Sequence, residues 1–201
     1  IQAAKPRRVF GELYTETFLP KSDINNLQGT PTYYSFVGAK IDLGNAQSVS
    51  IRQGFNYSSP LSNDNGRFEA TDANVQYVNG KMAQFMGDGS LTGMVRVYLP
   101  TGEASRFMTK TDGSVRGYLI GSKSYGKTDV SYVLMGQYFN WTQDSYIAPD
   151  GSVAANAFLR ANTEIDVFYN VSDKFAAGIV TGTETRRNRP VAGPRASSAS
   201  A

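Results

Sequence analysis

The chain has 201 residues, of which 40% are hydrophobic and 18% are charged, and its formal net charge is +3. This length is enough for one all-β domain with a sizeable core. The sequence contains no cysteine and no histidine, which excludes disulfides, thiolate metal sites, a cysteine nucleophile and a histidine base. It also contains no run of about 18 apolar residues, whereas a membrane-spanning β-strand needs only about 9–11 alternating residues.

The positive charge belongs to the two ends of the chain. Three basic residues precede the first predicted strand and four follow the last one, and neither end segment contains an acidic residue. Without these seven residues, 13 basic residues stand against 17 acidic ones. We therefore predict a basic N-terminal arm over residues 1–8, a β-barrel over residues 9–185, and a basic tail rich in proline, alanine and serine over residues 186–201.

Alternation of apolar and polar residues predicts about nine strands along the chain. In chain order the predicted strands are residues 9–19, 32–43, 48–59, 68–78, 91–99, 114–125, 129–141, 156–170 and 175–185. The segment NGKMAQFMGDGS fits either a loop or a short plug-like insertion. No convincing long helical pattern is present.

The segment NAFLRANTEIDVFYN, residues 156–170, has the clearest pattern. Leu159, Ile165 and Val167 alternate with a set that contains every charge of the segment. Such a strand has one apolar and one wet face, and the apolar face meets either a protein core or lipid.

Two features favour lipid. The alternating runs are longer than the 5–6 residues that are usual in globular strands. Short turn signals (GNAQ, VSDK and PTGE) alternate with long polar loops at residues 20–31, 60–67 and 142–152, and aromatic residues cluster near strand ends. Transmembrane β-barrels have this layout, with short periplasmic turns, longer outer loops and aromatic girdles.

The segment VFYNVSDKF, residues 167–175, resembles the periplasmic turn of bacterial outer-membrane β-barrels of the porin-like kind. The resemblance extends over roughly residues 9–185 and implies an all-β, antiparallel, up-and-down transmembrane β-barrel of roughly 8–12 strands in a Gram-negative envelope. Such barrels end on a strand with a terminal aromatic residue, whereas this sequence ends in RPVAGPRASSASA. A missed strand, an incomplete chain or an unusual end would each explain this difference from the porin-like pattern.

In such a barrel, charged residues in the middle of a strand face the lumen, because an arginine facing lipid at the midplane costs about 2–4 kcal/mol. The lumen-facing candidates are Lys40, Arg52, Arg96, Arg116, Arg160, Glu164 and Asp166. The lipid-facing candidates are Val49, Ile51, Val95, Val97, Leu159, Ile165 and Val167. The charges either set an ion preference or fill a plugged lumen with salt bridges.

We expect no enzymatic activity, no cofactor and no metal. The carboxylate pairs Glu12 with Glu16 and Glu164 with Asp166 each share a strand face, but ion pairing with neighbouring arginines or lysines explains them better. The expected partners are outer-membrane lipid and a protein partner or second copy that orders the tail; nucleic acid is not expected, since the body is acidic.

Two other functions fit parts of the pattern. A soluble β-barrel or sandwich, serving as a ligand-binding or capsid-like assembly subunit, shares the alternation but buries its apolar face. An envelope enzyme is disfavoured by the missing histidine and cysteine.

Overall fold

The computed structural model describes residues 8–18, 32–58, 67–147, 151–172 and 175–189. Long antiparallel strands dominate it: β1 (Arg8–Phe18), β2 (Thr32–Gly44), β3 (Gln47–Ser58), β5 (Asn74–Phe85), β6 (Gly89–Tyr98), β7 (Thr111–Tyr125), β8 (Thr128–Trp141), β11 (Ala157–Ser172) and β12 (Phe175–Asn188). These strands pair in the order β1-β2-β3-β5-β6-β7-β8-β11-β12, and the short strand β4 (Arg67–Ala70) pairs with β3. Strands β9 (Ser145–Ile147) and β10 (Val153–Ala155) form a separate hairpin.

The connections at the two ends of the sheet differ in length. At one end, Asn45 and Ala46 link β2 to β3, residues 86–88 link β5 to β6, and residues 126–127 link β7 to β8. Asn45 and Ala46 both have positive φ, which matches the type I′ turn that suits a two-residue hairpin. At the other end, β6 stops at Tyr98 and β7 starts only at Thr111, with a π-helical turn (Ala104–Met108) between them.

Side chains anchor the long connections. Asp72 accepts hydrogen bonds from the Gly102 backbone N–H (2.9 Å) and the Ser105 hydroxyl (2.6 Å), which fixes the start of the π-helical turn. Asn156 is 1% exposed, and its side-chain amide donates to the Gln143 carbonyl at 2.9 Å. These bonds tie the loop end of the sheet into an ordered layer.

Two sequence predictions at this level need correction. PTGE is not a short turn, because it opens the long connection between β6 and β7. The segment NGKMAQFMGDGS is neither loop nor plug, because it forms the second half of β5, the turn and the start of β6. A register irregularity between Asn79 and Ala83 breaks the period-two pattern there. The all-β, antiparallel class is confirmed, and no closed barrel is detected among the described strands.

The sheet buries polar residues and exposes apolar ones. Its buried polar side chains include Gln76 and Gln137, which are only 4% and 3% exposed. On the opposite face Val95 and Ile165 are 46% and 45% exposed. Met135 is the one buried hydrophobic residue in the described part of the chain. We call these two surfaces the polar face and the apolar face.

The two edge strands, β1 and β12, each pair with one neighbour only. Every described residue of β12 is exposed. The sheet therefore ends in two long strands whose outer backbone groups have no partner strand among the described residues.

Candidate functional site on the polar face

The structure places all seven charged candidates on the polar face. Strand register fixes this, because Lys40 pairs with Ser50, Ser50 with Gln76, and so on across the sheet to Arg160. Residues two apart on one strand share a face, which adds the remaining members. The polar face carries Lys40, Arg52, Arg96, Arg116, Arg160, Glu164 and Asp166.

Four of the arginines stand in one lateral row. Arg96 on β6 is the register partner of Arg116 on β7. The row continues through Gln137 on β8 and Arg160 on β11 to Arg186 on β12, and Gln76 on β5 flanks it on the other side. We call this set the basic row. Arg186 lies within β12, although the sequence assigned it to the tail.

The central pair of the basic row, Arg96 and Arg116, is held by neutral acceptors. Arg96 donates to the Gln76 amide oxygen through Nε (2.9 Å) and Nη2 (2.6 Å), and to the Tyr98 hydroxyl through Nη1 (2.9 Å). Arg116 donates to the Gln137 amide oxygen through Nε (2.9 Å) and to the Tyr118 hydroxyl through Nη1 (3.0 Å). Neither arginine forms a salt bridge with a carboxylate in the described part of the chain.

Aromatic rings pack against the same two guanidinium groups. The Tyr98 ring centre lies 4.9 Å from Cζ of Arg116 and 5.8 Å from Cζ of Arg96. The Tyr118 ring centre lies 5.7 Å from Cζ of Arg96. Cations at these distances from a ring centre are attracted by its negative face. The rings and the glutamines together fix the positions of the two charges.

Three other arginines of the face are bonded to carboxylates, Arg52 to one of its own and Arg160 and Arg186 to one that they share. Arg52 forms a double hydrogen bond with Glu12, with Nε and Nη2 donating at 2.8 and 2.9 Å. Arg160 lies 3.4 Å from a Glu184 carboxylate oxygen, and Arg186 bonds the other oxygen of that carboxylate. The expectation of ion pairing is therefore met for Glu12. It is wrong for Glu16, Glu164 and Asp166, which form no salt bridge within the described part of the chain. The Arg96–Arg116 pair without a carboxylate was not predicted.

Glu164 and Asp166 lie nearer the short-turn end of the polar face. One oxygen of Asp166 is buried and has no hydrogen-bond partner in the structure. No group of three or more carboxylates able to hold a metal ion exists within the described ranges. The acidic segments DINN (residues 23–26) and SNDNG (residues 62–66) lie outside those ranges, as do residues 190–201 of the tail.

Outside the strands, Arg189 is bonded to Asp144 at 2.7 Å. The hydrogen bond to the Asp144 carboxylate raises the pKa of the Arg189 guanidinium, which therefore stays charged. The pair joins the residue before β9 to the residue after β12, and it lies apart from the basic row.

All seven apolar candidates lie on the apolar face: Val49, Ile51, Val95, Val97, Leu159, Ile165 and Val167. In the middle of this face, Val95 pairs with Gly117, and Gly117 pairs with Gly136. The missing side chains leave an apolar groove of about 600 Å³ with Leu119 and Leu134 in its wall.

Sequence reasoning missed the neutral members of the site. Gln76, Gln137, Tyr98 and Tyr118 have no charge, and a period-two pattern does not reveal which residues are lateral neighbours. The available signal was the regular strand spacing, from which the register of the short hairpin β7–β8 could have been counted.

Comparisons with protein-family models, with curated proteins and with solved structures find no match to this chain. No helix in the described part of the chain is long and apolar enough to cross a membrane.

Proposed function

We propose that this protein is a bacterial outer-membrane β-barrel, a porin-like channel or structural envelope component, whose apolar face meets lipid and whose polar face lines the interior. The observation that carries the proposal is the inverted burial. A sheet that folds in water stabilises itself by burying apolar side chains at about 25 cal/mol per Å². This sheet leaves its apolar side chains outside, where only an apolar solvent stabilises them.

Strand lengths support the same conclusion. The nine long strands run from 10 residues in β6 to 16 in β11. A tilted transmembrane strand needs about 9–11 residues, while globular strands are usually about 5–6 residues long. The excess length fits a hydrocarbon layer with strand ends projecting on both sides.

Most exposed tyrosines of the apolar face fall into two bands, and Tyr77, the register partner of Val95, lies between them. Tyr57 and Tyr138 lie towards the long-loop end, and Tyr125, Tyr132 and Tyr169 lie towards the short-turn end. All five are exposed. Interfacial girdles of this kind flank the apolar band of transmembrane barrels.

In this proposal the sheet closes into a barrel at its two edges, β1 and β12. Unpaired backbone groups at an open edge within the hydrocarbon region cost several kcal/mol each, so only a closed sheet is stable there. Nine antiparallel strands leave β1 and β12 pointing in the same direction. The seam is therefore either a direct parallel pair or is completed by one more strand, which would give the even number usual in bacterial barrels.

Single cysteines test which face meets lipid, because the natural sequence contains none. Val95→Cys and Met94→Cys are adjacent on β6 and point to opposite faces. Ile165→Cys and Asn162→Cys lie three residues apart on β11 and also point to opposite faces. Each variant is labelled with an environment-sensitive fluorophore after folding into phospholipid vesicles. We expect lipid-borne quenchers to act on positions 95 and 165, and aqueous iodide to act on position 162.

Membrane extraction gives an independent readout. Membranes from cells that make the protein are washed with alkaline carbonate, and the protein should remain in the pellet until detergent is added. Release into the supernatant, together with water-like or packed-protein signals at positions 95 and 165, would favour the soluble β-barrel or assembly subunit instead.

A further inference from the structure

The basic row contains two pairs of directly opposed arginines, and Arg96 with Arg116 is the pair that has no carboxylate bonded to either member among the described residues. Arg96 and Arg116 are direct register partners on neighbouring strands and point to the same face. Like charges directly opposite each other destabilise a sheet. A bonded carboxylate reduces that repulsion, as Glu184 does between the register partners Arg160 and Arg186.

Neutral side chains hold the two guanidinium groups in place. Gln137 is almost fully buried and is itself fixed by a 2.8 Å hydrogen bond from its amide nitrogen to Ser114. Its amide oxygen accepts from Arg116, just as the buried Gln76 accepts from Arg96. Where a glutamate of the same shape would neutralise each arginine, the chain has a glutamine.

Donor groups remain for a ligand. A guanidinium carries five N–H donors. Arg116 uses its Nε and Nη1 in bonds to described side chains, which leaves the Nη2 group available. Arg96 uses its Nε and Nη2 in bonds to Gln76 and the Met94 sulfur and one Nη1 N–H in its bond to Tyr98, which leaves one Nη1 N–H. The remaining N–H groups of the two neighbouring arginines can be shared by one phosphate or carboxylate group, to which arginine donates strong charge-assisted hydrogen bonds.

We propose that Arg96 and Arg116 form a binding site for an oxyanion, a phosphate or carboxylate group carried by a small solute, with Gln76, Gln137, Tyr98 and Tyr118 as positioning residues. The site depends on the geometry of the polar face alone. Its consequence for transport, a preference for anionic solutes, rests on the proposed function.

Inorganic phosphate is the first probe, and titration calorimetry measures its binding to the purified full chain in detergent micelles. Acetate tests binding of a carboxylate in the same way. Chloride at equal ionic strength is the reference. We expect saturable binding of phosphate or acetate to the natural protein. Arg116→Gln and Arg96→Gln should each weaken it at least tenfold. Arg189→Gln is the matched control, because Arg189 lies outside the row and is paired with Asp144.

Gln137→Glu separates lost binding from lost folding. The new carboxylate replaces an amide oxygen that already lies 2.9 Å from Arg116 Nε, so the variant should fold and unfold at a temperature no lower than the natural protein. We expect it to lose most of its phosphate binding. Equal binding by Gln137→Glu and the natural protein, or no more binding of phosphate and acetate than of chloride, would overturn the proposal. Failure of the lipid-quenching test would leave this site standing and overturn only the barrel.

Discussion

Glu12 on β1 and Arg52 on β3 form a two-pronged ion pair across the strand that separates them, β2. Gly38 on β2 is the register partner of both residues and has no side chain, so the two long side chains meet above it. Phe36 adds a ring centred 4.5 Å from Arg52 Cζ. The ion pair and the Phe36 ring thus connect β1, β2 and β3 at this edge of the sheet, and the absence of a side chain at Gly38 leaves room for these contacts.

Gly38→Ala should therefore destabilise the fold. The added methyl would overlap the Ile51 carbonyl oxygen and lie 3.0 Å from Arg52 Cγ, and a backbone oxygen has little room to move. We expect a loss of about 1–3 kcal/mol, which is typical of overpacking. Denaturant-induced unfolding of the protein in vesicles measures this loss of stability.

Gly11→Ala is the control, because no atom lies within 4 Å of the position that its added methyl group would take. The stability of this variant should be unchanged or slightly raised. Equal stabilities for the two variants would show that the space over Gly38 is not needed.

The faces of the sheet were predictable from the sequence because a strand has a period of two. Once Arg160 and Leu159 are assigned to opposite faces, every other residue of β11 follows. The same logic placed Arg96 opposite Val95 on β6. Class and face are local properties of one strand, and the order of residues along that strand determines them.

Lateral neighbours were not predictable, since they depend on the register between strands. The Arg96–Arg116 pair arises because β6 and β7 are offset by a long connection with a π-helical turn, which no periodicity reveals. Glu12 was grouped with Glu16 along its own strand, while its partner in the structure comes from two strands away. The irregularity between Asn79 and Ala83 likewise hid half of β5.

The change in the free energy of unfolding caused by Val95→Arg distinguishes the membrane proposal from the soluble alternative. Val95 is 46% exposed in the isolated chain, so a charge there should be nearly neutral if the face meets water. If the face meets lipid near the midplane, the same substitution should destabilise the protein by about 2–4 kcal/mol. Reversible folding into vesicles of defined lipid gives the free energy. Asn162→Arg on the polar face serves as comparison and should change stability much less.

Hydrogen exchange tests whether the sheet closes. In an open sheet, alternate backbone N–H groups of β1 and β12 point away from their one partner and exchange quickly. In the proposed barrel we expect protection throughout residues 8–18 and 175–188, comparable to β6. Mass spectrometry of the membrane-inserted protein measures it, with the β9–β10 hairpin outside the main sheet as the fast-exchanging reference. Rapid exchange of half of the edge amides would argue against closure.

Ion preference links the basic row to transport. A pore with unneutralised arginines in its wall attracts anions, because a charge lining a narrow, low-dielectric channel acts on ions with little screening. In planar bilayers with a potassium chloride gradient, we expect the reversal potential to indicate a higher permeability for chloride than for potassium.

Gln137→Glu should shift the reversal potential towards the value for a pore without ion preference, since the new carboxylate neutralises Arg116. Arg189→Gln should leave the reversal potential unchanged. A cation preference in the natural protein would contradict an interior controlled by Arg96 and Arg116, and absence of conductance would favour the structural envelope role over the channel.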